Sequence, residues 1–556
     1  MSDLVKQPEY FPPERAKQYQ EKGYWTEDTF AEFFATCAGT FPDNEALVAK
    51  DCQGAARRAT YRQLNQQITA TADFLAGQGI NPEDFVVVQL PNIYEYVLVI
   101  GALFRLGARP VFSLPAHRRE ELGHFIAQTK AKALICADKY QGFNHRELAE
   151  SLREDTPELA VIIARADAGD NVCLSPAVWE GADSSSVRAL DAVNPVSTDL
   201  AFLQVSGGTT GIPKLIPRTH ADYLYSVRES AKICWLSPAT RFLVVLPVSH
   251  NFTMSSPGIL GVFWAGGCVV MTADPSPSTA FGLIAAEEIT MTALVPPLAL
   301  AWLSLAPVLK PNLESLEVLQ VGGAKFTPEA ARRVAPELGC TLQQVFGMAE
   351  GLVNYTRLDD PAELIETTQG KPISPDDEIR VVDDNGEDVV PGQRGHLLTR
   401  GPYTITGYFQ GADPGSFTAG GFYSTGDIVR QLPSGHLVVE GRSKDQINRG
   451  GEKISAEEIE DHLISHPDIL DAAVVAVADD SQGEKVFAFI VRTEGSTGKD
   501  LDAVAVRSYL RERGLAEYKL PDFFEFAASF PHTGVGKTSR KELRAMVQQY
   551  ATQNNN

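Results

Sequence analysis

The densest chemistry in this chain lies in one run, SGGTTGIPKLIPRTH at 206–220, directly after an apolar stretch at 200–205. Gly207, Gly208 and Gly211 permit positive φ and close approach of backbone to a ligand. Thr209 and Thr210 add hydroxyl donors beside Ser206, and Lys214 adds a mobile cation. Together they describe a flexible cradle for a triphosphate. It is not a Walker loop, because Pro213 precedes Lys214 where that motif needs Gly-Lys-Ser/Thr. An ordinary glycine-rich loop is the bland alternative, and the position straight after a buried strand argues against it.

Further segments place single candidate groups. QQVFGMAEG (343–351) carries one carboxylate, Glu350, and VGGA (321–324) would let a flat ring approach the backbone closely. YSTGD (423–427) ends on Asp427, and GRSKDQINRGGEKISAEEIE (441–460) holds Arg442, Lys444 and the pair Gly450-Gly451. PHTGVGKTSRKEL (531–543) looks like a Walker loop, but proline stands at 531 where the first glycine belongs. Singly, each has a plain structural alternative: a solvated glutamate, a Gly-Asp turn, a hairpin glycine pair, a solubilising lysine. SAEE (455–458) is also a capping-box pattern, which starts a helix whatever the function.

These groups need elements to position them. Short β-branched runs at 85–90, 133–136, 200–205, 242–247, 268–272, 292–295 and 318–321 alternate with helix-length segments such as 93–106. That alternation predicts parallel sheets covered on both faces, with ligands at the carboxyl ends of the strands. After about Asp377, short strands separated by Asn-Gly and Pro-Gly turns predict a small β-rich unit. From Ser443 a third texture begins, with helices at 456–465 and 503–513 around strands at 472–478 and 486–491. The last residues read as a frayed tail.

The 556 residues allow three to four units at about 150 residues each. A formal net charge of −22 disfavours general nucleic-acid binding. The seven cysteines lie far apart with no CxxC, so reduced, buried thiols are expected rather than disulfides or structural zinc. The N-terminus is polar, without an apolar signal region, and no apolar run approaches membrane-spanning length. A cytoplasmic location without membrane insertion is expected.

SGGTTGIPK resembles the phosphate loop of the adenylate-forming superfamily, which includes acyl-CoA synthetases, nonribosomal-peptide adenylation enzymes and luciferases. The other segments match in that family's order, over nearly the whole chain. The resemblance implies an α/β multidomain fold: a large N-terminal domain of two α/β subdomains and a small β-barrel (1–440), a hinge (441–445), a mobile α+β C-terminal domain (446–550) and a disordered tail (551–556). It implies ATP and Mg²⁺ as cofactors. Ser206 to Gly211 and Lys214 would grip phosphates, and Glu350 would bind Mg²⁺, which suits a hard carboxylate oxygen. Gly323, Val345, Gly347, Met348 and Ala349 would border the adenine. Asp427 would accept from the ribose hydroxyls, with Arg442 as a second ribose contact. Lys537 would enter the site to catalyse adenylation, offsetting charge on the transferring group. Lys444 would be the pivot, after which Gly450 and Gly451 reach the site.

The acid is read from LPVSHNFTMSSPG (246–258). Amino-acid-activating members carry an aspartate near here for the substrate ammonium, whereas this chain has His250-Asn251. An uncharged amide suits a hydroxyl ortho to the carboxylate; a turn cap is the alternative for Asn251. The wider strings resemble the stand-alone 2,3-dihydroxybenzoate–AMP ligases of catecholate siderophore synthesis. In that group Asn251 would meet the 2-hydroxyl, and Ser256 and Val353 would leave room for the 3-hydroxyl. Gly322 would let the ring approach, and His250 would act in catalysis. Phe252 departs from the tyrosine common in that group. The resemblance implies transfer of the aryl group to the phosphopantetheine thiol of an aryl carrier protein, expected here as a separate polypeptide. Rival expectations are a salicylate–AMP ligase, an aryl-CoA ligase, and a nucleotide-binding scaffold that has lost catalysis.

Overall fold

The computed structural model describes residues 10–165, 171–180, 195–206, 213–449, 452–479, 482–493 and 501–554, with backbone alone beyond 548. Gly207, Gly208, Thr209, Thr210, Gly211, Gly450 and Gly451 lie outside the described residues. Among the described residues the strands form sheets of seven, nine, four and five strands, and a two-stranded ribbon.

The predicted β-branched runs are strands of two α/β sheets. In the seven-stranded sheet, Leu200–Val205 lies between Leu215–Thr219 and Arg109–Phe112, followed by Phe85–Gln89, Ala133–Ala137, Ala160–Ala164 and Val172–Leu174. All neighbours are parallel except Leu215–Thr219, which folds back antiparallel on Leu200–Val205. The nine-stranded sheet has a parallel centre in which Met291–Leu294, Val318–Gly322 and Thr341–Gly347 run side by side. Antiparallel strands close both its edges. Strands such as Ala133–Ala137 are buried along their whole length, as expected of sheets covered on both faces. One core, including Phe30, Phe104, Phe112, Phe202 and Tyr223, is shared by both sheets, and a second, including Val87, Phe125 and Ile163, packs on the seven-stranded sheet.

The unit after Asp377 is a four-stranded antiparallel meander, Glu378–Val382, Arg394–Arg400, Tyr423–Gln431 and Leu437–Arg442. The small C-terminal part carries the five-stranded sheet around the long pair Ile469–Asp479 and Gly483–Arg492. Its helix Ala456–Ile464 starts at Ser455, whose side chain accepts from the Glu458 N–H. The predicted capping box forms only by half. The Glu458 carboxylate pairs with Lys519 at 2.6 Å instead of reaching back to the cap, because a charged partner outbids a backbone N–H. The last helix runs Arg540–Asn554. The described cysteines are all free thiols. No helix among the described residues is long and apolar enough to cross a membrane.

Candidate active site

A tight loop presents Lys537. The Ser539 N–H donates to the Pro531 carbonyl at 2.7 Å, the Thr533 N–H to the Lys537 carbonyl at 2.7 Å, and the Gly536 N–H to the Thr533 carbonyl at 2.8 Å. Three bonds across so few residues leave the lysine one direction to point. Its stem lies on Gly323, where a Cβ would come within 2.7 Å of Lys537 Cε. Gly323 also has φ +86°, so backbone and contact both require glycine there. Burial, then the nearby Arg442 guanidinium, push the Lys537 ammonium down to about 8, against the opposing pull of Asp427 and Glu350. An anionic ligand between these groups would restore its full charge.

Asp427 and Arg442 face one another across one rung of the antiparallel ladder. Arg442 Nε donates to Asp427 Oδ1 at 3.0 Å. Burial raises the Asp427 carboxyl, with Arg442 opposing, and the charge of Asp427 raises Arg442. Sheet register thus brings together two residues fifteen positions apart in the chain.

Glu350 is buried just beyond the strand Thr341–Gly347, and its Oε1 accepts from the Tyr408 hydroxyl at 2.9 Å. The Tyr408 and Tyr423 hydroxyls lie 3.1 Å apart. Lys214 sits over the Tyr408 ring, 4.7 Å from its centroid, and pairs with Asp413. The base of the 206–214 loop is tied shut: Ser206 N–H donates to the Lys214 carbonyl, and Lys214 N–H to Ser206 Oγ, each at 2.9 Å. Val345, Gly347, Met348 and Ala349 follow at the carboxyl end of the same strand. The buried Arg218 holds the Ala349 carbonyl at 2.8 Å and the Tyr403 carbonyl at 3.0 Å.

Beside these lies a group of buried side chains around the short helix Asn251–Ser255. His250 caps the short helix Asn251–Ser255, its Nδ1 accepting from the Phe252 N–H at 3.3 Å. Burial, then the nearby Lys537, push the imidazole down to about 3, so it is neutral at ordinary pH. Asn251 Oδ1 accepts from the Tyr223 hydroxyl at 2.8 Å. The Phe252 ring packs on Gly322, where a Cβ would come within 3.0 Å of Phe252 Cζ and 2.8 Å of the Val345 carbonyl. Ser256 is buried facing Tyr355, two residues beyond Val353 on one strand.

The fold therefore gathers Lys537, His250, Gly323, Asp427, Arg442 and Glu350 at one place, with Asn251, Phe252, Gly322, Ser256 and Val353 beside them. Lys444 lies in the short turn Ser443–Asp445, near Arg442 and Arg544. Sequence reasoning missed Tyr408, Tyr423, Tyr223 and Arg218. Arg218 and Tyr423 do stand inside the two motif runs. Tyr408 and Tyr223 carry no local signal, because only tertiary contact gives them a task.

The chain is similar to known proteins over nearly its whole length. Residues 34–409 match the AMP-binding enzyme family, and residues 458–537 match the AMP-binding enzyme C-terminal domain. The chain is 50% identical to the 2,3-dihydroxybenzoate-AMP ligase of Bacillus subtilis, over 97% of each chain. It is 46% identical to the vibriobactin-specific 2,3-dihydroxybenzoate-AMP ligase of Vibrio cholerae, over 96% of each. The apo structure of MbtA from Mycobacterium smegmatis is 42% identical and superposes with a TM-score of 0.73, covering 96% of this chain and 98% of that one.

Proposed function

The chain belongs to the AMP-binding enzyme family, and from that premise we propose that it activates 2,3-dihydroxybenzoate with ATP for siderophore synthesis. A carboxylate oxygen of the acid attacks the α-phosphorus of ATP, the bond to the β-phosphate oxygen breaks, and pyrophosphate leaves. The thiol of a phosphopantetheine carried by a carrier protein then attacks the carbonyl of the aroyl-adenylate, forming a thioester as the C–O bond to AMP breaks and the thiol proton is released. The observation that carries this reading is the seat of Lys537, buried among Asp427, Arg442 and Glu350 beside the neutral His250.

Each residue has a task set by its surroundings. Lys537 holds its cation where charge grows on the α-phosphate. Asp427 offers two acceptor oxygens to the ribose, and Arg442 orients that carboxylate. Ser206, Lys214 and the loop between them grip the β- and γ-phosphates, with Lys214 exchanging Asp413 for a phosphate. The strand end at Val345, Gly347, Met348 and Ala349 borders the adenine. Glu350 fits a Mg²⁺ ligand: it is a single buried carboxylate, and no cluster of three or more His, Cys, Asp or Glu stands ready for a metal among the described residues. Mg²⁺ takes one or two protein carboxylates plus phosphates and water, and when bound would neutralise phosphate charge. Asn251 meets the 2-hydroxyl, and Ser256 and Val353 leave room for the 3-hydroxyl. Phe252, packed on Gly322, borders the ring from one side, and His250 supports the carboxylate without adding charge.

For the second step, the C-terminal part (446–550) rotates about a hinge at 441–445, with Lys444 as pivot. Lys537 withdraws and Gly450 and Gly451 take its place. The location is cytoplasmic in this reading. ATP–pyrophosphate exchange across 2,3-dihydroxybenzoate, salicylate, benzoate and several amino acids tests the first step. Preference for an amino acid overturns the aryl assignment, and preference for salicylate reassigns the acid. Thioester formation on a carrier protein rather than on free CoA tests the second.

A further inference from the structure

Tyr223 is buried beside Asn251, and ring contacts and a hydrogen bond fix its position. Its ring meets Phe202 edge-on at 4.7 Å and lies under the Arg218 guanidinium at 4.9 Å. Its hydroxyl donates to Asn251 Oδ1 at 2.8 Å. Gln204 and Ser255 also lie beside the phenol, and the Ser255 hydroxyl donates to the Asn251 backbone carbonyl at 3.4 Å. The phenol proton lies on Asn251 Oδ1, the acceptor in the hydrogen bond described for this hydroxyl. Turning the Asn251 amide over would bury a proton with no partner, a costly state. The amide is therefore locked, oxygen toward the core and Nδ2 away from Tyr223. Nδ2 has no protein acceptor among the described residues, so both its protons are available to the acid.

We propose that Tyr223 is a positioning residue that makes the site accept ortho-hydroxy acids and reject ortho-amino acids. The inference rests on the placement of Asn251 against the ortho substituent given above. In a 2-hydroxybenzoate the hydroxyl proton is held by the acid's own carboxylate, leaving an oxygen lone pair facing outward. That oxygen accepts from Asn251 Nδ2. In a 2-aminobenzoate one N–H goes to the carboxylate, the other faces outward, and the lone pair is delocalised into the ring. There the locked amide presents a donor to a donor. Tyr223 thus acts on selectivity through Asn251 without touching the substrate.

The test is ATP–pyrophosphate exchange with 2,3-dihydroxybenzoate, 2-aminobenzoate and benzoate, in the full-length wild type and in Tyr223→Phe. Removing the phenol hydroxyl frees the Asn251 amide to turn. The ratio of kcat/KM for the hydroxy acid over the amino acid should fall about tenfold, with benzoate unmoved because it has no ortho group. A second pair of variants removes dependence on one substitution. In Asn251→Asp either oxygen can face the acid, so the ratio should fall with Tyr223 intact. Adding Tyr223→Phe to Asn251→Asp should shift it no further. Equal losses on all three acids in Tyr223→Phe, or an unchanged ratio in Asn251→Asp, overturn the proposal while leaving aryl activation standing. A wild type inert toward every aryl acid overturns the underlying reading and this proposal with it.

Discussion

Lys537 illustrates how little a side chain decides alone. An exposed lysine keeps its proton well above neutrality, but burial beside Arg442 brings this one down to about 8. The folded value lies below the ordinary one, so the cation is present at lower pH and lost as pH rises through about 8. Free-enzyme adenylation, read as kcat/KM for ATP, should show a falling limb there. Lys537→Ala should abolish that limb and cost adenylation about 10²–10³-fold, while sparing thioester formation from supplied aryl-adenylate. A limb that survives the substitution would place the titration on another group. The motif around Lys537 was legible in the chain; its depressed proton affinity was not, since the responsible neighbours lie about a hundred residues away in sequence.

At the scale of elements, short connections after strands place the working groups. Gly323→Ala would put a Cβ where Lys537 Cε now lies, at a backbone φ of +86°. Adenylation should drop at least about tenfold from a misplacement of this kind, with the thioester step spared; equal losses in both would mean the loop has simply collapsed. A second element carries stability. Asp222 caps the helix His220–Ile233 and pairs with Arg218 at 2.8 Å, both side chains almost wholly buried. Asp222→Ala leaves the Arg218 charge unpaired and should cost about 3–5 kcal/mol, read as a lower urea midpoint. The freed Arg218 should also loosen its hold on Ala349, raising KM for ATP. Helix and strand placements followed from hydrophobic pattern because local burial dictates them. The half-formed cap at Ser455 did not, because Lys519 competes from 61 residues away.

Across the whole molecule, the large N-terminal part and the small C-terminal part meet through charge as well as through Lys537. Lys325, just after Gly323, pairs with Asp461 on the helix Ala456–Ile464 at 2.6 Å. Glu329 and Arg513 add a weaker contact at 3.7 Å. Asp461→Asn should bias the two parts toward separation. Adenylation should slow about two- to tenfold relative to thioester formation, and added salt should act in the same direction. An unchanged ratio of the two half-reactions would show that the pair does not hold this orientation. The amino-acid sequence by itself determined the alternating α/β architecture, the phosphate-cradle composition and the identity of Glu350, Asp427, Arg442 and Lys537, because periodicity and motif spacing are local properties. Only the tertiary structure decided that Lys537 lies inside the site, that Tyr408 donates to Glu350 and that Tyr223 donates to Asn251. Those depend on contacts between strands, loops and parts distant in the chain, where burial and neighbouring charge, rather than residue type, set what each group does.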